Sequence, residues 1–236
     1  MSSPSPPVLQ ELHRLDRSSS RFHDQITNVL YGKEYMRCVE NLQGNDLVWL
    51  VDYLDGALGV LDPSSPAFRK CLHKLRSICG TSAILPTSYT ISSDLLDVSQ
   101  DPFASGGYGD VYQGTLEGEK VCIKRVRVYT QDGPQKSNKA FCQEAVMWRR
   151  MIHPNVLPLL GITTAPFQLI SNWIPGGDLP QYIKKHPDAD RLGLLSDIAR
   201  GLCHLHSCNV IHGDLKGRNV LVDNSGQACI ADFGLA

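Results

Sequence analysis

Several stretches of this 236-residue chain carry residue types suited to handling phosphate. In Phe103-Ala104-Ser105-Gly106-Gly107-Tyr108-Gly109-Asp110-Val111-Tyr112 the glycines let backbone N–H groups approach anionic oxygens with no Cβ in the way. Downstream, Val121-Cys122-Ile123-Lys124 has strand alternation, which sends Cys122 and Lys124 to one face and Val121 and Ile123 to the other. A glycine-rich stretch alone is at least as often a plain β-turn, and a lysine ending a strand is usually a solvated edge charge. The two in succession point to a cation held over a phosphate cradle. Further on, Asp214 and Asn219 are close enough in sequence for one tight loop to bring both to the same phosphate. Asp232-Phe233-Gly234 follows, across the Asn224-Ser225-Gly226 hairpin turn, and by itself reads as a turn after a strand.

Val121-Cys122-Ile123-Lys124, His212-Gly213-Asp214-Leu215-Lys216-Gly217-Arg218-Asn219 and Asp232-Phe233-Gly234 stand in the order of the motifs of protein kinases, and from about Leu96 to Ala236 the chain resembles that family. The resemblance implies an α+β fold: a kinase-like N-lobe, antiparallel sheet plus one helix, followed by the start of a helical C-lobe. It implies ATP and Mg2+ as cofactors and a protein hydroxyl as phosphoryl acceptor. Asp214 would orient or accept the hydroxyl proton, Lys216 would steady the γ-phosphate, and Asn219 and Asp232 would hold metal. Lys124 would reach the α- and β-phosphates, held by Glu144 from a helix expected over about Ser137 to Met151. Lys216 is the lysine that serine/threonine kinases commonly carry, so the resemblance leans to the tyrosine-kinase-like Ser/Thr branch. Gly213 replaces the arginine that relatives use to bind a phosphorylated activation loop, which implies activation without loop phosphorylation.

The same resemblance places the adenine. Ala104, Gly106 and Gly109 take the three glycine positions of the hairpin, with alanine at the first, and Val111 covers the base. Cys122 stands where alanine is usual. In Phe167-Gln168-Leu169-Ile170-Ser171-Asn172-Trp173-Ile174, Ser171 is the gatekeeper, the carbonyl of Asn172 and the carbonyl and N–H of Ile174 meet the adenine edge, and Leu221 forms the floor beneath it.

Composition sets the surroundings. Hydrophobic residues make up 42% of the chain and the formal net charge is -1. That suits an ordinary globular core and gives no electrostatic case for nucleic acid or a membrane surface as partner. The eight cysteines lack paired spacing and sit in apolar segments, as free thiols in a reducing compartment do, and no apolar run is long enough to span a bilayer. An intracellular, cytoplasmic signal-transduction protein is expected. Residues 1–20, rich in serine and proline, read as a disordered tail. Residues 21–88 read as a helical region for packing and partner contact, with one helix over Leu47 to Leu61 and another capped by Ser65 and Pro66 and ended by Gly80. The kinase domain is expected over 94–236, ending after Asp232-Phe233-Gly234 without the later kinase helices. That leaves the apolar face of a helix over about Asp190 to His206 partly exposed, and turnover by this chain weak or absent. The alternative is a catalytically silent nucleotide-binding or interaction module.

Overall fold

A computed structural model describes residues 7–32, 35, 39, 41–106, 109–126 and 133–232, which fall into two compact units, Met1–Ser88 and Tyr89–Ala236. Phe233 and Gly234 of the last motif lie outside the described residues. No helix among the described residues is long and apolar enough to cross a membrane.

Among its described residues the first unit forms helices and no strand: α1 (Pro7–Arg14), α2 (Phe22–Tyr31), α3 (Gly44–Leu58) and α4 (Pro66–Ser82). Helix α1 falls inside the stretch expected to be a disordered tail. Val8, Leu9 and Leu12, spaced for one helical face, are buried, and that burial offsets the cost of ordering the segment. At the start of α4 the Ser65 hydroxyl accepts from the Phe68 N–H at 3.1 Å, and Pro66 occupies the first turn. Gly80 does not end this helix. It is buried within it, and the helix closes at Ala83, in the left-handed region at φ 56°, whose N–H bonds the Cys79 carbonyl. Packing of Ile78 and Cys79 outweighs the weak helix preference of one glycine, about 1 kcal/mol. Helix α3 likewise starts and ends three residues earlier than expected from its apolar stripe.

The second unit opens with a curled antiparallel sheet. Strands β1 (Leu96–Val98), β2 (Ala104–Gly106), β3 (Gly109–Leu116), β4 (Glu119–Val126), β5 (Leu159–Thr164) and β6 (Phe167–Asn172) run in the order β1-β3-β4-β6-β5, with β2 also paired to β3. One face buries Tyr112, Val121, Ile123 and Ile170 against Ile91, Leu96, Val98, Leu116 and Leu160. Helix α5 (Gly133–Trp148) follows β4. Its Phe141, Ala145 and Trp148 are buried, Phe141 lies against Phe167 with ring centroids 4.8 Å apart, and the Trp148 indole N–H donates to the Leu157 carbonyl at 2.6 Å. The helix stops short of Met151 because the chain tightens into i to i−3 bonds, Arg150 N–H to Met147 O and Met151 N–H to Trp148 O, before Pro154 excludes helical backbone from the residue ahead of it.

Helices α6 (Leu179–Lys185) and α7 (Arg191–Ser207) and the hairpin β7 (Val220–Val222) with β8 (Ala228–Ile230) complete the unit. Asp190 caps α7 by accepting from the N–H groups of Leu192 and Gly193. The apolar face of α7 divides: Leu194 packs with Val220, Val222 and Ala228 and Leu205 is fully buried, while Leu195 is 60% exposed.

Asn155 joins the sheet to this helical part. Its side-chain amide donates to the Ala228 carbonyl at 2.8 Å, its carbonyl accepts from Ile230 N–H at 2.9 Å, and Leu157 N–H returns to the Ile230 carbonyl at 2.8 Å. Beneath it, Asp197 accepts from Ala228 N–H and Arg200 bridges Asp197 and the Asn155 side chain. Gly201 makes the approach of α7 possible, since a Cβ there would stand 2.5 Å from the Asn155 carbonyl oxygen and 2.9 Å from Ile230 Cδ1. Gly201→Ala is therefore expected to destabilise this unit by about 1–3 kcal/mol, read as a lower denaturation midpoint at unchanged m-value; wild-type stability would contradict this packing.

Candidate active site

The site begins with strand register. In the β3–β4–β6 ladder Lys124 stands opposite Val111 and Leu169, and Cys122 opposite Ser171. The Lys124 ammonium leaves the sheet to donate to Glu144 Oε1 of α5 at 3.2 Å and to Asp232 Oδ1 at 2.7 Å. The Lys124 and Glu144 side chains are only 14% and 15% exposed, Asp232 44%. Burial alone would lower the Lys124 pKa, but the carboxylates of Glu144 and Asp232 outweigh it and hold it above the ordinary lysine value. Glu144 moves up, because burial and the neighbouring Asp232 charge disfavour its anion more than Lys124 stabilises it.

The second cluster is built on a loop. His212 is 3% exposed; its Nδ1 lies 3.3 Å from Asp214 N–H and its Nε2 3.0 Å from the Ala231 carbonyl. Those partners call for the tautomer with the proton on Nε2, so the ring accepts from one strand of the loop and donates to the other. Gly213, at φ 77°, takes the left-handed turn that brings Asp214 round. A 3-10 turn over Gly217–Asn219 then returns the Asn219 amide to the Asp214 carbonyl at 2.9 Å and to Asp214 Oδ2 at 3.3 Å. Lys216 Nζ donates to the same Oδ2 at 2.5 Å. The Lys216 hydrogen bond is the main cause holding the Asp214 carboxyl below the usual range; desolvation opposes it, and the Lys216 charge and the Asn219 hydrogen bond add to it.

One backbone bond couples the clusters: Ala231 N–H donates to the Asn219 carbonyl at 2.8 Å, so Asp232, at φ 60°, emerges beside Asn219. Asn219 Oδ1 and Asp232 Oδ2 accept no hydrogen bond among the described residues. Hard oxygens of this kind suit Mg2+, which takes few protein ligands and completes its shell with phosphate and water. No three His, Cys, Asp or Glu side chains converge as a metal cage among the described residues.

The residues expected around a base are placed more loosely. Ala104 pairs with Val111 and Gly106 with Gly109 across the β2–β3 hairpin, and Gly109 takes φ 147°. Ser171 is buried, Asn172 is exposed opposite Val121, and Leu221 lies on β7 in a bridge to Asp178. Burial pushes the Cys122 thiol up. The Ile174 carbonyl, expected at the base, already accepts from Gly177 N–H at 3.2 Å. Direct contacts unite Lys124 with Glu144 and Asp232, and Asp214 with Lys216 and Asn219; among the described residues no side-chain hydrogen bond joins the hairpin and hinge residues to either cluster. Sequence reasoning missed the direct Lys124–Asp232 pair and the orienting role of His212. It also missed the Asp197–Arg200–Asn155 brace, whose residues look in sequence like ordinary helix and turn positions.

Residues 98–236 match the protein tyrosine and serine/threonine kinase family. The chain belongs to that family. Over 139 residues it is 37% identical to serine/threonine-protein kinase STY46 of Arabidopsis thaliana. It is 37% identical over 138 residues to tyrosine-protein kinase Fer of Mus musculus, and 36% identical over 140 residues to receptor tyrosine-protein kinase erbB-4 of Homo sapiens. Each match covers 56% of this chain, and 24%, 16% and 11% of those relatives in turn, so the chain spans less than a quarter of their length. The fold is that of the kinase N-lobe with the beginning of the helical C-lobe, preceded by an all-helical region.

Removing the cation from the first kinase cluster leaves two buried or half-buried carboxylates facing each other. Lys124→Met is expected to cost about 3–5 kcal/mol at neutral pH. In the variant the Glu144 pKa rises further, so the folded state takes up a proton as pH falls from 7 to 5 and the gap to wild type narrows. Denaturation midpoints at the two pH values check this; a gap that is constant or widens would contradict the assigned pair.

Proposed function

We propose that this chain carries the ATP-binding and phosphoryl-transfer centre of a protein kinase that acts on serine or threonine hydroxyls. The observation that carries the reading is the Asp214–Lys216–Asn219 cluster tied through the Ala231–Asn219 bond to the Lys124–Glu144–Asp232 cluster. It supplies a carboxylate base, two cations for phosphate oxygens and two free oxygens for a metal within one continuous network.

In this reading Lys124, held by Glu144, is aimed at the α- and β-phosphates of ATP, and the β2–β3 hairpin with Gly106 and Gly109 lets backbone approach them. Ala104, Val111, Cys122, Ser171, Asn172, Ile174 and Leu221 enclose the adenine. Asn219 Oδ1 and Asp232 hold Mg2+, which, when bound, neutralises charge on the transferring phosphate. The depressed pKa of Asp214 keeps it ionised at neutral pH, able to orient the acceptor hydroxyl and take its proton while that oxygen bonds to the γ-phosphorus and the bond to the ADP oxygen breaks. Lys216 steadies the γ-phosphate and, by its position two residues after Asp214, supports the Ser/Thr assignment, since the relatives include both specificities. Gly213 supports activation that needs no loop phosphate, because no cationic side chain follows His212.

Transfer from radiolabelled ATP to a mixed Ser/Thr/Tyr peptide library, followed by phosphoamino-acid analysis, tests the proposal. Label is expected on serine or threonine, and Asp214→Asn is expected to cut transfer about 10²–10⁴-fold while MgATP affinity holds. Transfer by Asp214→Asn at the wild-type rate would overturn the base assignment, and label on tyrosine would overturn the specificity. MgATP binding without transfer by wild type would leave the silent nucleotide-binding module as the reading.

A further inference from the structure

Helix α4 carries Arg69, Lys70, His73, Lys74 and Arg76 and no aspartate or glutamate. At about 3.6 residues per turn these side chains fall within one half of the helix circumference, opposite the buried Cys71, Leu72, Leu75, Ile78 and Cys79. Helix α3, which meets α4 where the Cys71 thiol donates to the Leu54 carbonyl at 3.4 Å, has the opposite composition: Asp46, Asp52 and Asp55 with no lysine or arginine. The formal net charge of -1 thus conceals a positive strip one helix wide. Among the described residues neither Lys70 nor Arg76 has a carboxylate within ion-pair distance. The Arg69 guanidinium donates to the Ser64 carbonyl at 2.6 Å, and Arg76 Nε, itself buried, finds no hydrogen-bond acceptor. Burial, with the charge of Lys70 one turn away, holds the Lys74 pKa below the ordinary lysine value. Both ammoniums lie over aromatic rings, Lys70 Nζ 3.9 Å from the Tyr31 centroid and Lys74 Nζ 5.2 Å from that of Tyr35. Tyr35 is buried, but Tyr31 is 61% exposed.

We propose that this face of α4, with Tyr31 at its edge, is a docking surface for an acidic amphipathic helix of a partner protein. Arg69, His73 and Arg76 form one ridge, and Lys70 with Lys74 a second, over about 10 Å of helix axis. Carboxylates at the same three-and-four spacing on a helix laid alongside match both ridges, relieve the repulsion between Lys70 and Lys74, and give Arg76 the acceptor it lacks. Tyrosine and arginine are residue types that interfaces favour, so Tyr31 adds apolar contact beside the charges. A membrane or a nucleic acid presents anions over a wider area, and the acidic α3 beside this narrow strip opposes such a surface. The docking face lies wholly in the first unit and stands or falls independently of the nucleotide site.

The test uses the 236-residue chain and a short fluorescein-labelled peptide of leucine and glutamate, patterned so that its glutamates line one helical face, read by fluorescence anisotropy. Saturable binding is expected, falling as salt is raised and weakening about 3- to 10-fold in each of Lys70→Glu, Arg76→Glu and Tyr31→Ala. An unchanged helical circular-dichroism signal shows that the variants remain folded. Lys70→Arg, which keeps the charge, should bind as wild type does, and so should Lys184→Glu, the same reversal on α6 of the other unit. The peptide with glutamine in place of glutamate should not bind. No binding by wild type, equal weakening by Lys184→Glu, or tighter binding to phosphatidylserine vesicles or single-stranded RNA than to the peptide would overturn the proposal. So would concentration-dependent self-association of the chain that Lys70→Glu abolishes, since a second copy would then occupy the face.

Discussion

One ammonium group shared by two carboxylates organises this structure. Lys124 projects from β4, Glu144 from α5, and Asp232 from the segment that follows β8. Burying that cation is unfavourable, and the cost is offset only when both acceptors are in place. The sheet, the helix and the end of the β7–β8 hairpin must therefore be correctly placed at once. The same arrangement that satisfies a buried charge brings Lys124 to Asp232, whose neighbour Ala231 is bonded to Asn219, as the proposed phosphate site requires.

The brace around Asn155 makes that placement hold. Asn155 takes β8 through both its side chain and its carbonyl, and Asp197 with Arg200 fixes it from α7. Since β8 runs directly into Ala231 and Asp232, the brace sets where Asp232 emerges. His212 closes the circuit from the other side by donating to the Ala231 carbonyl while accepting from Asp214 N–H. Asp214 and Asp232, far apart in sequence, are thus positioned by hydrogen bonds to one three-residue strand and its continuation. Glycine appears where this geometry demands it, at Gly201 under the Asn155 carbonyl and at Gly213 in the loop turn.

Much of this was legible in the sequence because the active groups sit in short, locally encoded motifs. The strand alternation of Val121 to Lys124 foretold which face Lys124 would take, and the helix expected to carry Glu144 is present as α5. What escaped was whatever depends on non-local partners. Asp197 reads as one more polar helix residue until β8 is laid beside it. Helix α1 was hidden because serine and proline dominate its surroundings, and only the burial of Val8, Leu9 and Leu12 makes it worth forming. Gly80 looked like a stop because local preference favours one there, yet the packing of its neighbours carries the helix through.

The claim at the centre is that the Lys124–Glu144–Asp232 network exists to receive nucleotide phosphate and its metal. The most direct measurement is the shift in thermal unfolding of the Tyr89–Ala236 unit, within the whole chain, on adding MgATP to wild type and to Glu144→Gln. At a hundredfold excess over the dissociation constant, wild type should gain about 2.7 kcal/mol, and Glu144→Gln, which frees Lys124 from its anchor, should gain clearly less at the same concentration. A wild-type transition that ignores MgATP, or an equal gain in both proteins, would contradict the account.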